Sequence, residues 1–243
     1  VDKGFSLCTL AFFFNDTATT EIYTTLFGMA RTPDEVIGKH REIVLARATD
    51  AEMLMAGQDG GVVSALLIWG LATGQIDGAC TSKLSDERPW DAEPTVVTDA
   101  RGVLDTAGSR YTYSANPLAL RDAQAAGIDH LALVGMGCQT SSPPAMWVRK
   151  AGKVGKPFLF NIGLLCSKTF DDSIFPELFE AKYGLKKQDM VKMNIKGVFQ
   201  IWMKDGSYHE IDLKECHKWT REGCKNCPDF AAEHADISCG GIG

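Results

Sequence analysis

The sequence predicts an α/β fold: a mixed β-sheet with flanking helices, to which a β-hairpin and a Cys-rich loop are added. Short apolar runs typical of buried strands alternate along the chain with helical stretches that end at glycine. Two later strand-like runs flank Asp205-Gly206, a dipeptide that strongly favours a tight hairpin turn. With 243 residues, the chain is long enough for one large domain or two small ones.

The first half of the chain follows this alternation in order. Residues 42–48 predict a strand, and the apolar stretch 60–74 predicts a helix that glycines open and close. Short strands are expected at residues 77–84 and 95–99, and a helix at residues 116–127. The order of these elements is the one expected of helices packed on a sheet.

The second half predicts the part of the sheet where chemistry is expected. Residues 130–138 and 157–166 predict two buried strands, and each stretch ends in a cysteine. A helix over 171–184 follows, and the hairpin spans 199–213. Because sites in open α/β sheets form outside the carboxyl ends of the strands, these two cysteines are placed where a site is expected.

Composition excludes several classes of protein. Hydrophobic residues make up 45% and charged residues 23% of the chain, as in ordinary globular proteins. The net charge of −6 argues against a nucleic-acid binder. No apolar run approaches the roughly 20 residues of a membrane span. The start lacks the layout of a signal peptide, so we expect a cytoplasmic protein, and the missing initial Met suggests a fragment.

The eight cysteines point to metal or redox chemistry, since the chain shows no export signal and is long for a disulfide scaffold. Cys224 and Cys227 form a Cys-x-x-Cys pair, and Cys138 and Cys166 end the two predicted strands. Four thiolates converging there suit either zinc or an iron–sulfur cluster, and spacing alone does not choose between them. The alternative is that Cys138 and Cys166 are merely buried small side chains.

The remaining cysteines are less informative. Cys80 lies within a strand pattern and is expected in the core, and Cys239 is open to either interpretation. Cys216 is expected at the surface or next to a site, although it could replace a ligand. Cys8 forms no motif with its neighbours and is either an unrelated free cysteine or the remnant of a longer cysteine motif.

Two glycine turns are candidates for binding a phosphorylated cofactor. Gln58, Asp59, Gly60 and Gly61 precede the long apolar helix, whose free N–H groups favour phosphate; an ordinary Asp cap explains the pattern equally well. A second group, in "GSRYTYS", offers a cation and a ring through Arg110 and Tyr111.

A basic cluster follows the Cys138 strand and consists of Arg149, Lys150, Lys153 and Lys156. Such clusters usually form a solvated face, but in an acidic protein this one could also steer a polyanionic substrate.

Taken together, these motifs resemble the beta subunits of coenzyme F420-reducing hydrogenase and F420-dependent formate dehydrogenase. The matching stretches are "GQDGGVVSALL", "IDGA", "GSRY", "GMGCQ", "NIGLLC", "HKWTREGCKNC" and "ADISCGGIG". They occur in the family's order from about residue 37 to residue 243. Two prolines after "GMGCQ" depart from the family pattern and put the local shape of the pocket in question.

The resemblance implies an iron–sulfur flavoprotein oxidoreductase. Cys138, Cys166, Cys224 and Cys227 would bind a 4Fe-4S cluster. The flavin FAD would bind near the glycine turns, at Gln58, Asp59, Gly60, Gly61, Arg110, Tyr111, Gly240 and Gly241. Electrons would pass between a partner subunit or ferredoxin and coenzyme F420, the substrate, and the basic cluster would suit the tail of F420. The resemblance assigns no catalytic side chain, since hydride transfer needs positioning above all.

The resemblance also implies the domain organisation. We expect an unreliable remnant at residues 1–33, the N-terminal part of the module at 34–115, and the C-terminal, cluster-binding part at 116–243, truncated at its end. Asn15–Tyr23 matches the translation of a short-read sequencing adapter, so residues 12–24 are expected to be an artefact, poorly ordered and without function.

Two alternatives remain open from the sequence. One is a ferredoxin-linked reductase of another substrate in the same superfamily. The other is a zinc-stabilised, non-catalytic α/β scaffold, in which the four cysteines are purely structural.

Overall fold

The computed structural model describes residues 7–13, 37–88 and 90–242, of which residues 7–13 and Ile242 are described by their backbone alone. The adapter-like residues 14–24 lie outside these ranges. Phe12 and Phe13 belong to a strand and pair with Glu42 and His40.

The larger of two sheets has seven strands within the described residues. They are β1 (Leu7–Phe13), β2 (His40–Ala46), β3 (Gly78–Leu84), β4 (Ala92–Val97), β5 (Leu131–Met136), β6 (Phe158–Leu164) and β10 (Ile237–Ile242). Their order is β2-β1-β10-β6-β5-β3-β4. The four central strands run parallel, and β1, β2 and β4 complete the edges in antiparallel pairings. This confirms the predicted mixed α/β sheet.

A smaller antiparallel sheet contains β7 (Met190–Lys196), β8 (Val198–Met203) and β9 (Tyr208–Asp212). The predicted hairpin is confirmed as β8 and β9. Gly206 takes a φ of 85° in the turn, a conformation that glycine adopts without strain. The third strand, β7, was not predicted from the sequence.

Helices lie between the strands. They are α1 (Ala51–Ala56), α2 (Val62–Ala72), α3 (Ala100–Asp105), α4 (Leu120–Ala125), α5 (Gly137–Thr140), α6 (Ser142–Val148), α7 (Gly152–Gly155), α8 (Ala181–Tyr183), α9 (Leu213–Cys216) and α10 (Glu222–Lys225). Tighter 3-10 turns occupy Asn116–Ala119, Lys187–Asp189 and His217–Trp219, and a wider π turn occupies Phe175–Glu180. No described helix has the length and apolar character needed to cross a membrane.

Separate cores support the two sheets. Leu67 of α2 packs with Ile162 and Val134 of the large sheet. Phe179, in the π turn, packs with Phe199 of the small sheet, and their ring centroids lie 5.1 Å apart. The small sheet therefore has its own apolar support.

Candidate cofactor and metal site

The site residues lie at one edge of the large sheet. Strands β10, β6 and β5 are parallel neighbours, so their carboxyl ends meet at the same edge. Gly240 and Gly241 lie near the end of β10, Cys166 follows β6 by two residues, and Cys138 follows β5 by two. Open α/β sheets form their sites at this edge.

The two strand-end cysteines are placed slightly differently from the prediction. Strand β5 stops at Met136, and Cys138 is the second residue of α5, because the chain turns into a helix at Gly137. Strand β6 stops at Leu164, before Cys166. Both cysteines therefore lie just beyond the strands rather than in them.

Each of the four predicted ligand thiols lies within electrostatic range of at least one other. Desolvation, and after it the nearby Cys138, Cys224 and Cys227, raise the pKa of Cys166 to about 12. Cys138 is exposed as a residue, but partial desolvation of its thiol raises the pKa, and Cys227 and Cys224 add to this. Cys138, Cys224 and Cys227 therefore lie close enough to Cys166 to affect its pKa. As thiolates they repel one another, and a bound cation would relieve that repulsion.

Hydrogen bonds fix the loops that carry these thiols. The backbone N–H of Cys166 donates to the carbonyl of Phe230 over 3.0 Å. The Thr169 N–H donates to Cys224 Sγ over 3.5 Å, and the Thr169 hydroxyl lies at the same distance. Thr169 was not predicted, because a single threonine between motifs gives no signal in the sequence. The Cys-rich loop is thus tied to the segment after β6.

As it stands, the described part of the chain contains no group of three or more His, Cys, Asp or Glu residues arranged to hold a metal ion. The prediction that Cys80 lies in the core agrees with its burial in β3. Cys216 and Cys239 are also buried, so the expectation of a surface position for Cys216 was wrong: its side chain joins the core of the small sheet. The side chain of Cys8 lies outside the described residues.

A cavity of about 260 Å³ lies beside this edge. Its lining comes from residues 55–58, 107–112 and 190–193, together with Leu84 and Trp90. Three of the predicted cofactor-binding residues, Gln58, Arg110 and Tyr111, therefore line one cavity. Its volume is slightly below the roughly 300–1,000 Å³ typical of small-molecule sites, so it would receive part of a large cofactor.

Asn194 of β7 joins two of these residues. The Gln58 side-chain amide donates to Asn194 Oδ1, and the Tyr111 hydroxyl donates to the same oxygen over 3.0 Å. The N–H of Ile195 donates to the Tyr111 oxygen, also over 3.0 Å. Burial raises the pKa of Tyr111, which therefore stays a neutral donor. Asn194 was missed because β7 was missed; a polar residue in an alternating strand pattern was the available signal.

Arg110 has unused hydrogen-bonding capacity. Its Nη1 donates to the carbonyls of Ala107 and Gly108 over 3.1 and 2.9 Å. Its Nε is buried and has no hydrogen-bond partner among the described residues. Burial lowers the pKa of the guanidinium, which indicates that the cation is desolvated there. A buried donor of this kind is costly without a partner, and an anionic ligand would supply one.

The first glycine turn reaches the end of β10. The Asp59 carboxylate packs so closely on Gly241 that an added Cβ there would collide with it. Asp59 also forms an ion pair with Lys196 at 3.5 Å. Gly61 precedes α2 with a φ of 67°, and no side chain caps this helix, so the Asp-cap alternative does not hold. The turn that contains Gly60 therefore lies against the strand that contains Gly240 and Gly241.

A cation–π contact links the cysteine loop to the cavity loop. Arg221, three residues before Cys224, lies 4.1 Å from the ring centre of Tyr113. Tyr113 follows Tyr111 by two residues in the loop that lines the cavity. The two predicted sites are thus joined by a direct side-chain contact.

The basic cluster takes no part in this cavity. Arg149, Lys150, Lys153 and Lys156 lie on and around α7, and none of them is among its lining residues. The expectation that these cations bind the tail of a substrate finds no support in the lining of the cavity.

The buried His234, in the segment that leads into β10, should make the free energy of unfolding depend on pH. Burial lowers the pKa of this imidazole from 6.5 to about 4. The unfolded chain takes up the proton at a higher pH than the folded chain does, so stability falls as the pH drops from 6.5 to about 4. One pKa unit corresponds to about 1.4 kcal/mol, so the effect is on the order of 3 kcal/mol.

We expect His234→Gln to flatten the dependence of unfolding free energy on pH in that window, as measured by urea denaturation. The exposed His217→Gln variant is the matched control. A profile as steep in the His234 variant as in the wild type would contradict this assignment.

Two family models match the chain. Residues 43–121 match the N-terminal model of the coenzyme F420 hydrogenase/dehydrogenase beta subunit, and residues 128–243 match its C-terminal model. Between them, the two models cover most of the chain.

Individual relatives agree with this match. The chain is 36% identical over 217 residues to the coenzyme F420 hydrogenase subunit beta of Methanothermobacter thermautotrophicus, covering 86% of this chain and 75% of the relative. It is 31% identical over 211 residues to the F420-dependent formate dehydrogenase 1 subunit beta of Methanococcus maripaludis, and the match covers 83% of this chain and 52% of the relative. A chain of the F420-reducing [NiFe] hydrogenase complex from Methanosarcina barkeri superposes with a TM-score of 0.75 at 29% identity, covering 84% of this chain and 72% of the other.

Proposed function

The chain belongs to the coenzyme F420 hydrogenase/dehydrogenase beta subunit family, and on this premise we propose that it is an oxidoreductase subunit that exchanges electrons with coenzyme F420. Its electrons pass to or from a partner subunit or ferredoxin. The observation that supports the proposal is that Cys138, Cys224 and Cys227 all affect the pKa of Cys166, while Arg221 of the same loop contacts Tyr113 beside the cavity.

The residue types suit the two cofactors that the family resemblance implies, although the four thiols would have to draw closer around a cluster, because the described residues contain no group arranged to hold a metal ion. Cys138, Cys166, Cys224 and Cys227 would hold a 4Fe-4S cluster, for which four thiolates are the usual ligand set. Gln58, Asp59, Gly60, Gly61, Arg110, Tyr111, Gly240 and Gly241 would hold FAD. When bound, these groups supply the chemistry, because a flavin exchanges single electrons with a cluster and electron pairs, as hydride, with a deazaflavin.

The chain's own side chains would bind the cofactors and orient them. Arg110 lines the cavity, and its buried Nε, which has no hydrogen-bond partner among the described residues, would donate to an anionic group bound there. Asn194 holds Gln58 and Tyr111 in fixed positions, so the polar wall of the cavity is pre-organised. Pre-organised contacts lower the entropic cost of binding and of correct alignment.

Binding of FAD to the apoprotein tests the assignment of the cavity. We expect Arg110→Gln to raise the Kd for FAD at least about tenfold, because a hydrogen bond to a charged group contributes roughly 1.5–3 kcal/mol. Quenching of flavin fluorescence during titration measures the Kd.

Arg101→Gln is the matched control, since Arg101 is an exposed arginine on α3 that pairs with Glu52 and Asp105. Arg110→Lys, which keeps the charge, should lie between the wild type and Arg110→Gln. Equal FAD affinity in Arg110→Gln and the wild type would remove Arg110 from the site.

The catalytic proposal itself is tested by the oxidation of reduced F420 with a viologen dye as electron acceptor. The wild-type chain loaded with both cofactors should bring back the absorption of oxidised F420. A loaded protein that leaves F420 unchanged would favour a reductase of another substrate in the same superfamily.

A further inference from the structure

An exposed basic patch lies outside the cavity and the cysteine loops. We define the basic patch as Trp147, Arg149, Lys150, Lys153, Val154 and Lys156. All six residues are exposed, including the two large apolar ones, of which Trp147 is 56% and Val154 49% exposed. Tryptophan and arginine are enriched in the energetic centres of protein interfaces.

The backbone holds this patch in a fixed shape. After α6 the chain reverses at Lys150, whose φ of 58° is rare for a residue with a side chain. The N–H of Ala151 then donates to the carbonyl of Met146 over 2.8 Å. Buried Gly155 packs on Met146, and an added Cβ on Gly152 would lie 3.4 Å from the Trp147 ring. The turn therefore presents the ring and the cations on one compact helical hairpin.

The cations of the patch have no acidic partner within the described chain. No ion pair there involves Arg149, Lys150, Lys153 or Lys156. The whole chain nevertheless carries a net charge of −6, so the net charge of the residues outside the patch is more negative than −6. An acidic protein is repelled by most of this molecule and attracted at the patch, which fixes where it docks.

The patch is also close to one of the predicted cluster ligands. Helices α5 and α6 follow one another from Cys138 to Trp147, interrupted only at Ser141, which itself has helical dihedral angles. Nine residues at a rise of about 1.5 Å each place the two at most about 14 Å apart along the axis. A protein seated on the patch would therefore contact the far end of the helical stretch that contains Cys138.

We propose that the basic patch is the docking site of an acidic electron-carrier protein, with Trp147 as its apolar anchor and the four cations around it. The assignment of an electron carrier rests on the proposed function. A long polyanion such as nucleic acid fits less well, because it would extend past four cations onto an acidic surface. Attraction over this patch raises the rate of encounter and is screened by salt.

The test measures binding of the full chain to a small acidic 2Fe-2S ferredoxin by isothermal titration calorimetry at low and at physiological salt. We expect Lys153→Glu/Lys156→Glu to raise the Kd at least about tenfold at low salt and to remove most of its salt dependence. Lys186→Glu/Lys204→Glu is the matched control, because it changes the net charge by the same amount at two exposed positions outside the patch. It should change the Kd less than about twofold. Trp147→Ala should weaken binding at both salt concentrations.

Several results would overturn the proposal. The first two are no binding of ferredoxin by the wild type and an equal loss of ferredoxin affinity in the two double variants. The third is tighter binding of a 20-base-pair DNA duplex than of ferredoxin. The fourth is a dimer of the wild-type chain that Lys153→Glu/Lys156→Glu dissociates. F420 oxidation with a viologen dye needs no protein partner and is measured in parallel. Its loss with docking intact contradicts the proposed function alone, and its persistence without docking contradicts the patch alone.

Discussion

Replacing Cys224 with serine should abolish iron and acid-labile sulfide in protein purified without oxygen. We expect about four iron and four sulfide per chain in the wild type and close to none in the variant. The reason is that Cys224 affects the pKa of both Cys138 and Cys166, so it lies near both of these thiols. A serine hydroxyl remains protonated where a thiol forms a thiolate, and the thiolate is the ligand.

Cys216→Ala is the matched control for this measurement. Cys216 lies eight residues before Cys224, but its pKa is raised to about 11 by burial first and then by Glu215 and Asp212. Its substitution should leave the iron and sulfide content unchanged. About one zinc without sulfide in the wild type would contradict the cluster and restore the interpretation of a structural zinc scaffold.

Gly163→Ala should destabilise the fold and reduce cluster content together. An added Cβ at Gly163 would collide with the side chain of Ala232 and lie 2.8 Å from that of Ala235. Ala232 and Ala235 lie in the segment between Cys227 and β10, so displacing them is expected to disturb the neighbouring cysteine loop as well. Overpacking of this kind costs roughly 1–3 kcal/mol, which exceeds the gain of about 0.5–1 kcal/mol from replacing glycine within a strand.

Thermal unfolding measures the effect. In a chain of this size each kcal/mol shifts Tm by about 2–4 °C, so we expect a loss of several degrees. Gly223→Ala is the control, because an added Cβ there meets nothing within 4 Å. An unchanged Tm in Gly163→Ala would show that the segment yields easily and that the close packing matters little.

The pattern of the sequence was sufficient for the large sheet and the hairpin. The apolar run that became β5 is almost entirely buried, and most of β6 is buried as well, and such runs are visible without knowledge of their neighbours. Strand β7 was missed because its sequence, "MVKMNIK", mixes lysine with apolar residues and pairs only with β8. Its assignment depends on a tertiary neighbour, which local propensity does not describe.

The candidate site was predictable in its residue types and less so in its contacts. The Cys-x-x-Cys pair and the glycine turns carry local signals, and the structure places Gln58, Arg110 and Tyr111 on one cavity. Contacts such as Asn194 with Gln58, or Arg221 with Tyr113, join residues more than 100 positions apart. A single sequence holds no record of which distant residues meet.

The bonds from Asn194 bear on how this family can evolve. Gln58 and Tyr111 fall within the stretch matched by the N-terminal family model, and Asn194 falls within the stretch matched by the C-terminal one. Neither stretch contains the complete polar wall, because each supplies one side of these hydrogen bonds. We expect a substitution on one side of the bonds to be tolerated best when the residue across them changes as well.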